Sequence, residues 1–97
     1  MTDRQILLQV GENVKKERLN ADLTQECLAE LVGIHWQTIS NIERGRSPFP
    51  VAIFARMCQA MGISPERLVA GLPEPDHERI KKITKAMARQ RRRPSNT

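Results

Sequence analysis

An all-α domain is what this sequence predicts, on three observations. Apolar residues recur at three- and four-residue spacing. Gly, Pro and Asn/Asp breakers fall between the periodic stretches, and the Val/Ile/Thr-rich alternation of strands is missing. Ile6, Leu7, Val10 and Val14 place an amphipathic helix from about residue 4 to about residue 20. "NADLT" interrupts it, and Thr24 is the N-cap of a second helix whose apolar face carries Leu28, Leu31 and Val32, with small Ala29 beside them. Gly33 ends that helix where a left-handed residue is needed. A third helix runs from about His35 to Arg44 and stops at Gly45.

"RSPFP" reads as a loop, with Pro50 in the first turn of a fourth helix. Val51, Phe54, Met57, Cys58 and Met61 form its buried stripe, and Gly62 closes it. Ser64 and Pro65 open a short fifth helix to about Ala70. "GLPEP" is a linker, and Asp76 caps a sixth helix to about Arg92, halted by Pro94. Glu78 in its first turn and Arg91 and Arg92 in its last match the preference of the helix dipole. The short loops suit a compact helical domain over residues 1–72, with residues 73–97 forming linker, amphipathic helix and basic tail.

Ninety-seven residues suffice for one modest core, and 39% apolar with 28% charged residues is ordinary for a globular chain. No secretory signal or bilayer-spanning run is found, so a cytoplasmic location is expected, with Cys27 and Cys58 as free thiols. Cys27, His35, Cys58 and His77 match no zinc spacing, and no metal or other cofactor is expected. Residues 1–73 carry eight Lys/Arg and eight Asp/Glu, so the net charge of +5 resides in residues 74–97. There eight Lys/Arg face only Glu74, Asp76 and Glu78. Such a run is either a solvated tail or a contact for a polyanion.

At 100° per residue, the third helix turns Ile39 and Ile42 inward, with Thr38 and His35 flanking. Gln37, Ser40, Asn41 and Arg44 take the outer side. Solvated helix faces mix Glu and Lys, whereas this one holds amides, a hydroxyl and an arginine. Gln and Asn pair bidentately with adenine edges, and Arg with guanine. Trp36 lies at the boundary of the two faces. It is either a core anchor or an apolar contact for a groove wall or thymine methyl. Glu43 falls on the inner side, where a carboxylate requires a cationic partner.

"LTQECLAELVGIHWQTISNIERGR", residues 23–46, resembles the helix-turn-helix of the Cro/cI-type (XRE) repressor family. Thr24-Gln25, Leu28-Ala29, Gly33, Ile39, Ile42 and the "IERG" of residues 42–45 carry the likeness. With "ARMCQAMGISPERL" it extends over about residues 10–72. The resemblance implies a five-helix lambda-repressor-like DNA-binding domain, here with an extra C-terminal helix. It implies base contacts from Trp36, Gln37 and Asn41, with His35 and Ser40 as near neighbours. Gln25 and Thr24 at the start of the second helix, and Arg44 and Arg46 after the third, are implied to follow the phosphate backbone. Arg18 is implied as the buried partner of Glu43. Three residues depart from the pattern. Glu17 stands where an apolar residue is usual, so either the first helix is rotated there or the carboxylate reaches solvent. Asp22 replaces a common glycine, a tolerable exchange because Asp enters left-handed turns more readily than most residues. Trp36 is bulkier than the family's usual residue.

The function expected is a sequence-specific transcriptional regulator, a repressor or controller protein, reading a palindromic operator on double-stranded DNA as a homodimer. The alternative is an antitoxin-type protein that binds a partner toxin and autoregulates through DNA. An RNA adaptor fits less well, since no aromatic stacking platform is present. No nucleophile–base pair or phosphate-cradling glycine loop suggests an enzyme. The stripe of Ile80, Ile83 and Met87 on the sixth helix either docks on the body or forms a dimer seam, leaving "RQRRR", residues 89–93, beside phosphates.

Overall fold

The computed structural model describes residues 1–73 and 75–90. Among these the chain forms five α-helices and one 3-10 turn: α1 (Asp3–Asn20), α2 (Gln25–Val32), α3 (Trp36–Glu43), α4 (Val51–Met61), the turn Pro65–Arg67 and α5 (His77–Gln90). None of these helices is long and apolar enough to cross a membrane.

Local chemistry sets the helix starts. Thr2 and Gln5 form a reciprocal capping box on α1, the Gln5 N–H donating to Thr2 Oγ1 at 3.2 Å and the Thr2 N–H to Gln5 Oε1 at 2.9 Å. Thr24 Oγ1 accepts from the Cys27 N–H at 3.0 Å, as the sequence leads one to expect of the α2 cap. Gly33 follows α2 at φ +82°, which lets the chain reverse into α3 without a Cβ clash. Asp22 occupies the left-handed region at φ +58°, in line with its expected tolerance of that turn. Pro50 precedes α4 as its N-cap and does not lie inside its first turn.

Helix α1 packs on α3, and α2 packs on both α3 and α4. Their shared interior holds Val10, Val14, Leu28, Ile39, Met57 and Leu68, joined by Val32, Ile42, Cys58 and Met61. Complete burial of side chains as large as Leu28 and Ile39 stabilises the fold by about 1.5–3 kcal/mol each. Burial also pushes the Cys58 thiol above its ordinary pKa, so it remains a packed apolar group.

At several positions the structure corrects the sequence reading. Leu31 is 59% exposed because α2 turns small Ala29 inward instead, beside Leu28 and Val32 in the core. Val51 is 81% exposed: it opens α4 beyond the edge of the core, while Met57, Cys58 and Met61 fill the interior. The expected fifth α-helix is only a 3-10 turn. Asn13 of α1 explains the early stop, its Nδ2 donating to the carbonyls of Leu68 at 3.0 Å and Ala70 at 2.7 Å and turning the chain out of helical geometry. Glu17 neither rotates α1 nor reaches solvent. It is buried, and Arg67 Nη1 donates to its Oε1 at 3.4 Å, a partner 50 residues away that the local sequence does not reveal.

Helix α5 starts as expected, with Asp76 Oδ1 accepting from the Arg79 N–H at 3.0 Å. Its stripe does not dock on the body. No residue of α5 is buried, and Ile80, Ile83 and Met87 are each nearly half exposed. The predicted extension of this helix to Arg92 and the basic run beyond Gln90 lie outside the described residues.

Candidate nucleic-acid interface

Two fixed points orient α3. Ile39 and Ile42 are sealed in the core, and Glu43 is held beneath the helix by Arg18. Arg18 Nε donates to Glu43 Oε2 at 2.6 Å and Arg18 Nη2 to Oε1 at 3.1 Å, a two-point bond between buried groups. Arg18 Nη1 also donates to the Leu23 carbonyl at 2.8 Å, tying the α1–α2 connection to the same guanidinium. The ion pair implied by the family resemblance is therefore present. It locks α3 against rotation about its axis, and so determines which side chains face outward.

That outward set is Trp36, Gln37, Thr38 and Arg44, with Asn41 half-buried among them. The described side chains of this face include no acid. Trp36 is 43% exposed and is not a core anchor; its ring tilts against that of His35, with centroids 5.8 Å apart. His35 lies one residue before α3 and caps it, Nδ1 accepting from the Gln37 N–H at 3.1 Å. With Nδ1 engaged in the cap, Nε2 is the ring nitrogen left to meet a partner on this exposed residue.

Ser40 does not belong to the face. It is 8% exposed, because burying Glu43 draws the inner arc of the helix toward position 40, only about 60° away by helical geometry. Thr38 replaces it as the exposed hydroxyl. The helical wheel places Thr38 at the inner margin, and only the roll imposed by Glu43 turns it outward.

At the start of α2, Gln25 Nε2 donates one N–H to Glu43 Oε1 at 3.1 Å, leaving its second amide hydrogen unspent. The Thr24 hydroxyl accepts the α2 cap bond and retains its own O–H for donation. Arg44 and Arg46 are exposed beyond the end of α3. Donors thus flank both ends of an amide-bearing helix face, an arrangement with chemistry for phosphates outside and base edges between.

Comparison with known proteins identifies the fold and its family. The solved structures of similar fold include the restriction-modification controller protein C.AhdI from Aeromonas hydrophila, at 27% identity and TM-score 0.62, covering 64% of this chain and 94% of that one. They also include the clp gene regulator ClgR from C. glutamicum, at 25% identity and TM-score 0.63, covering 71% and 85% respectively. A hypothetical transcription factor, NHTF from Neisseria, shares the fold at 24% identity and TM-score 0.64, covering 84% and 90%. A search of curated proteins finds no match. The family model HTH_3, helix-turn-helix, matches residues 14–68, more than half of the chain. The chain therefore belongs to the HTH_3 helix-turn-helix family, the Cro/cI (XRE) type of DNA-binding transcription regulator.

Proposed function

We propose that this regulator is sequence-specific, and that it binds a pseudo-palindromic operator in cytoplasmic DNA as a homodimer. The observation that carries the reading is the exposure of Gln37 beside Asn41 on a helix whose opposite side, Ile39 and Ile42, is sealed in the core. In the major groove these amides pair with adenine edges, while the Trp36 ring and the Thr38 methyl supply apolar contact to thymine methyls. The His35 Nε2 tip reaches toward a neighbouring base or phosphate. Gln25, Thr24, Arg44 and Arg46 clamp the flanking backbone and set the register. One helix spans only about four base pairs, so a two-fold pair placing two such helices about 34 Å apart supplies the missing specificity. The C.AhdI likeness supports a controller-type role, and the ClgR likeness a gene-regulatory one.

Selection of bound sequences from a random DNA pool tests the reading directly, with an inverted repeat as the expected outcome. On the selected site, Gln37→Ala or Asn41→Ala is expected to cost about 1–3 kcal/mol and to relax the preference at one base pair in each half. Equal losses on selected and random DNA would remove these side chains from the reading role. Deleting residues 89–97 is expected to flatten the dependence of log K on log salt by about 0.9 for each phosphate that the tail neutralises. An unchanged slope assigns the tail to solvent.

A further inference from the structure

Two uncovered apolar strips lie on the surface with opposite charges at their margins. The first is on the outer side of α2, where Leu23, Cys27 and Leu31 line a shallow groove rimmed by Glu26 and Glu30. Leu31 and Cys27 are exposed there, on the side of α2 turned away from its buried Leu28, Ala29 and Val32. The second is the stripe of Ile80, Ile83 and Met87 on α5. At 100° per residue, Arg79 and Lys82 border one edge of that stripe, and Lys81 borders the other beyond His77.

The two strips match in charge. Ile80 to Met87 spans about 10 Å along a helix at about 1.5 Å per residue; on α2, Cys27 to Leu31 covers about 6 Å on the same measure, and Leu23, two residues before the helix, continues the strip beyond its start. Glu30 lies about 60° and Glu26 about 100° from Cys27 on the α2 strip, both on one side of it. Arg79 and Lys82 lie about 70° and about 130° from the centre of theirs, on the same rotational side. Apolar strips laid together antiparallel therefore bring two carboxylates against two cations. Two α5 helices paired face to face would gain no such ion pairs, because the described margins of α5 carry a cationic excess.

We infer that α5 of one copy docks across the α2 groove of a second copy, Ile80, Ile83 and Met87 covering Leu23, Cys27 and Leu31. This rests on the homodimer reading and names its contact surface. The second copy is favoured over the chain's own α2 because Pro73 and Pro75 fix φ at both sides of residue 74 and stiffen the connection, resisting a tight return. A two-fold exchange also makes the contact twice. That doubling brings a short helix closer to the roughly 800 Å² per partner that stable interfaces bury. The strip carries acids and includes none of the residues assigned above to bases or phosphates.

The test is made on the full chain, with circular dichroism confirming that each variant remains helical. Glu26→Lys with Glu30→Lys is expected to raise the dimer Kd at least tenfold in analytical ultracentrifugation. Arg79→Glu with Lys82→Glu is expected to do the same, and the four changes together to restore it to within threefold of the parent. In parallel, Ile83→Cys is oxidised against native Cys27 and resolved without reductant. A covalent dimer that vanishes with Cys27→Ser supports the inference. A crosslinked monomer overturns the second copy as occupant, and a dimer that survives Cys27→Ser shows that α5 pairs with α5. A dimer whose Kd ignores both charge reversals refutes this surface while the operator reading stands. A chain that stays monomeric on a single half-site defeats the homodimer reading itself, and a stoichiometric foreign protein held by α5 assigns the stripe to a different partner.

Discussion

Replacing Glu43 by Ala is expected to lower folding stability by about 3–5 kcal/mol, enough to unfold much of a small domain at physiological temperature. The carboxylate accepts two bonds from Arg18 and one from Gln25, and both members of the ion pair are buried. Truncation strands a guanidinium away from water, and stranding a charge costs more than the pair itself contributes. Arg18→Ala is expected to cost a similar amount for the mirror-image reason. The paired change Arg18→Met with Glu43→Leu is expected to recover most of the loss, since it removes both charges while keeping volume. Urea unfolding read by circular dichroism decides the matter. A Glu43→Ala midpoint equivalent to less than about 1 kcal/mol of loss would mean that Arg18 finds water without its partner.

Gly11→Ala is expected to destabilise by about 2–3 kcal/mol, although the same exchange in an exposed helix interior gains about 1 kcal/mol. The sign reverses because α1 crosses α3 at this residue. A Cβ on Gly11 would collide with the Ile42 carbonyl oxygen and lie 2.7 Å from that of Glu43. Both obstacles are backbone, so neither moves aside as a side-chain tip does, and α3 itself must shift. Operator affinity of the folded fraction is therefore expected to fall as well, because the displaced helix is the one that carries Gln37 and Asn41. A variant as stable as the parent, or more so, would show that the two helices part without penalty.

Much of this fold is legible in the sequence because the signals are local. Thr24, Gly33, Asp22 and Asp76 act within a few residues of themselves, and their caps and turns stand where the chemistry of their side chains puts them. The exposed amide face is legible for the same reason, since Ile39 and Ile42 fix the phase of a single helix. What escapes is the relation between elements. Ser40 reads as outward on a helical wheel, and only the roll required by the Arg18–Glu43 bond hides it and exposes Thr38. Glu17 reads as a misfit until Arg67 arrives from the far end of the body. Gly11 carries no local mark at all, because its necessity comes from carbonyls on another helix. Val51 fits the apolar period of α4 yet is bare, since periodicity reports direction and not whether a neighbour extends that far.

The grip of Asn13 on the carbonyls of Leu68 and Ala70 anchors the chain's exit from the body to the longest helix. Only residues 71–76, among them Pro73 and Pro75, separate that anchor from α5. On the proposed pairing that brief strap is expected to act as the calliper between two half-sites. A glycine-rich insertion there is then expected to widen the set of operator spacings accepted without altering which bases are read.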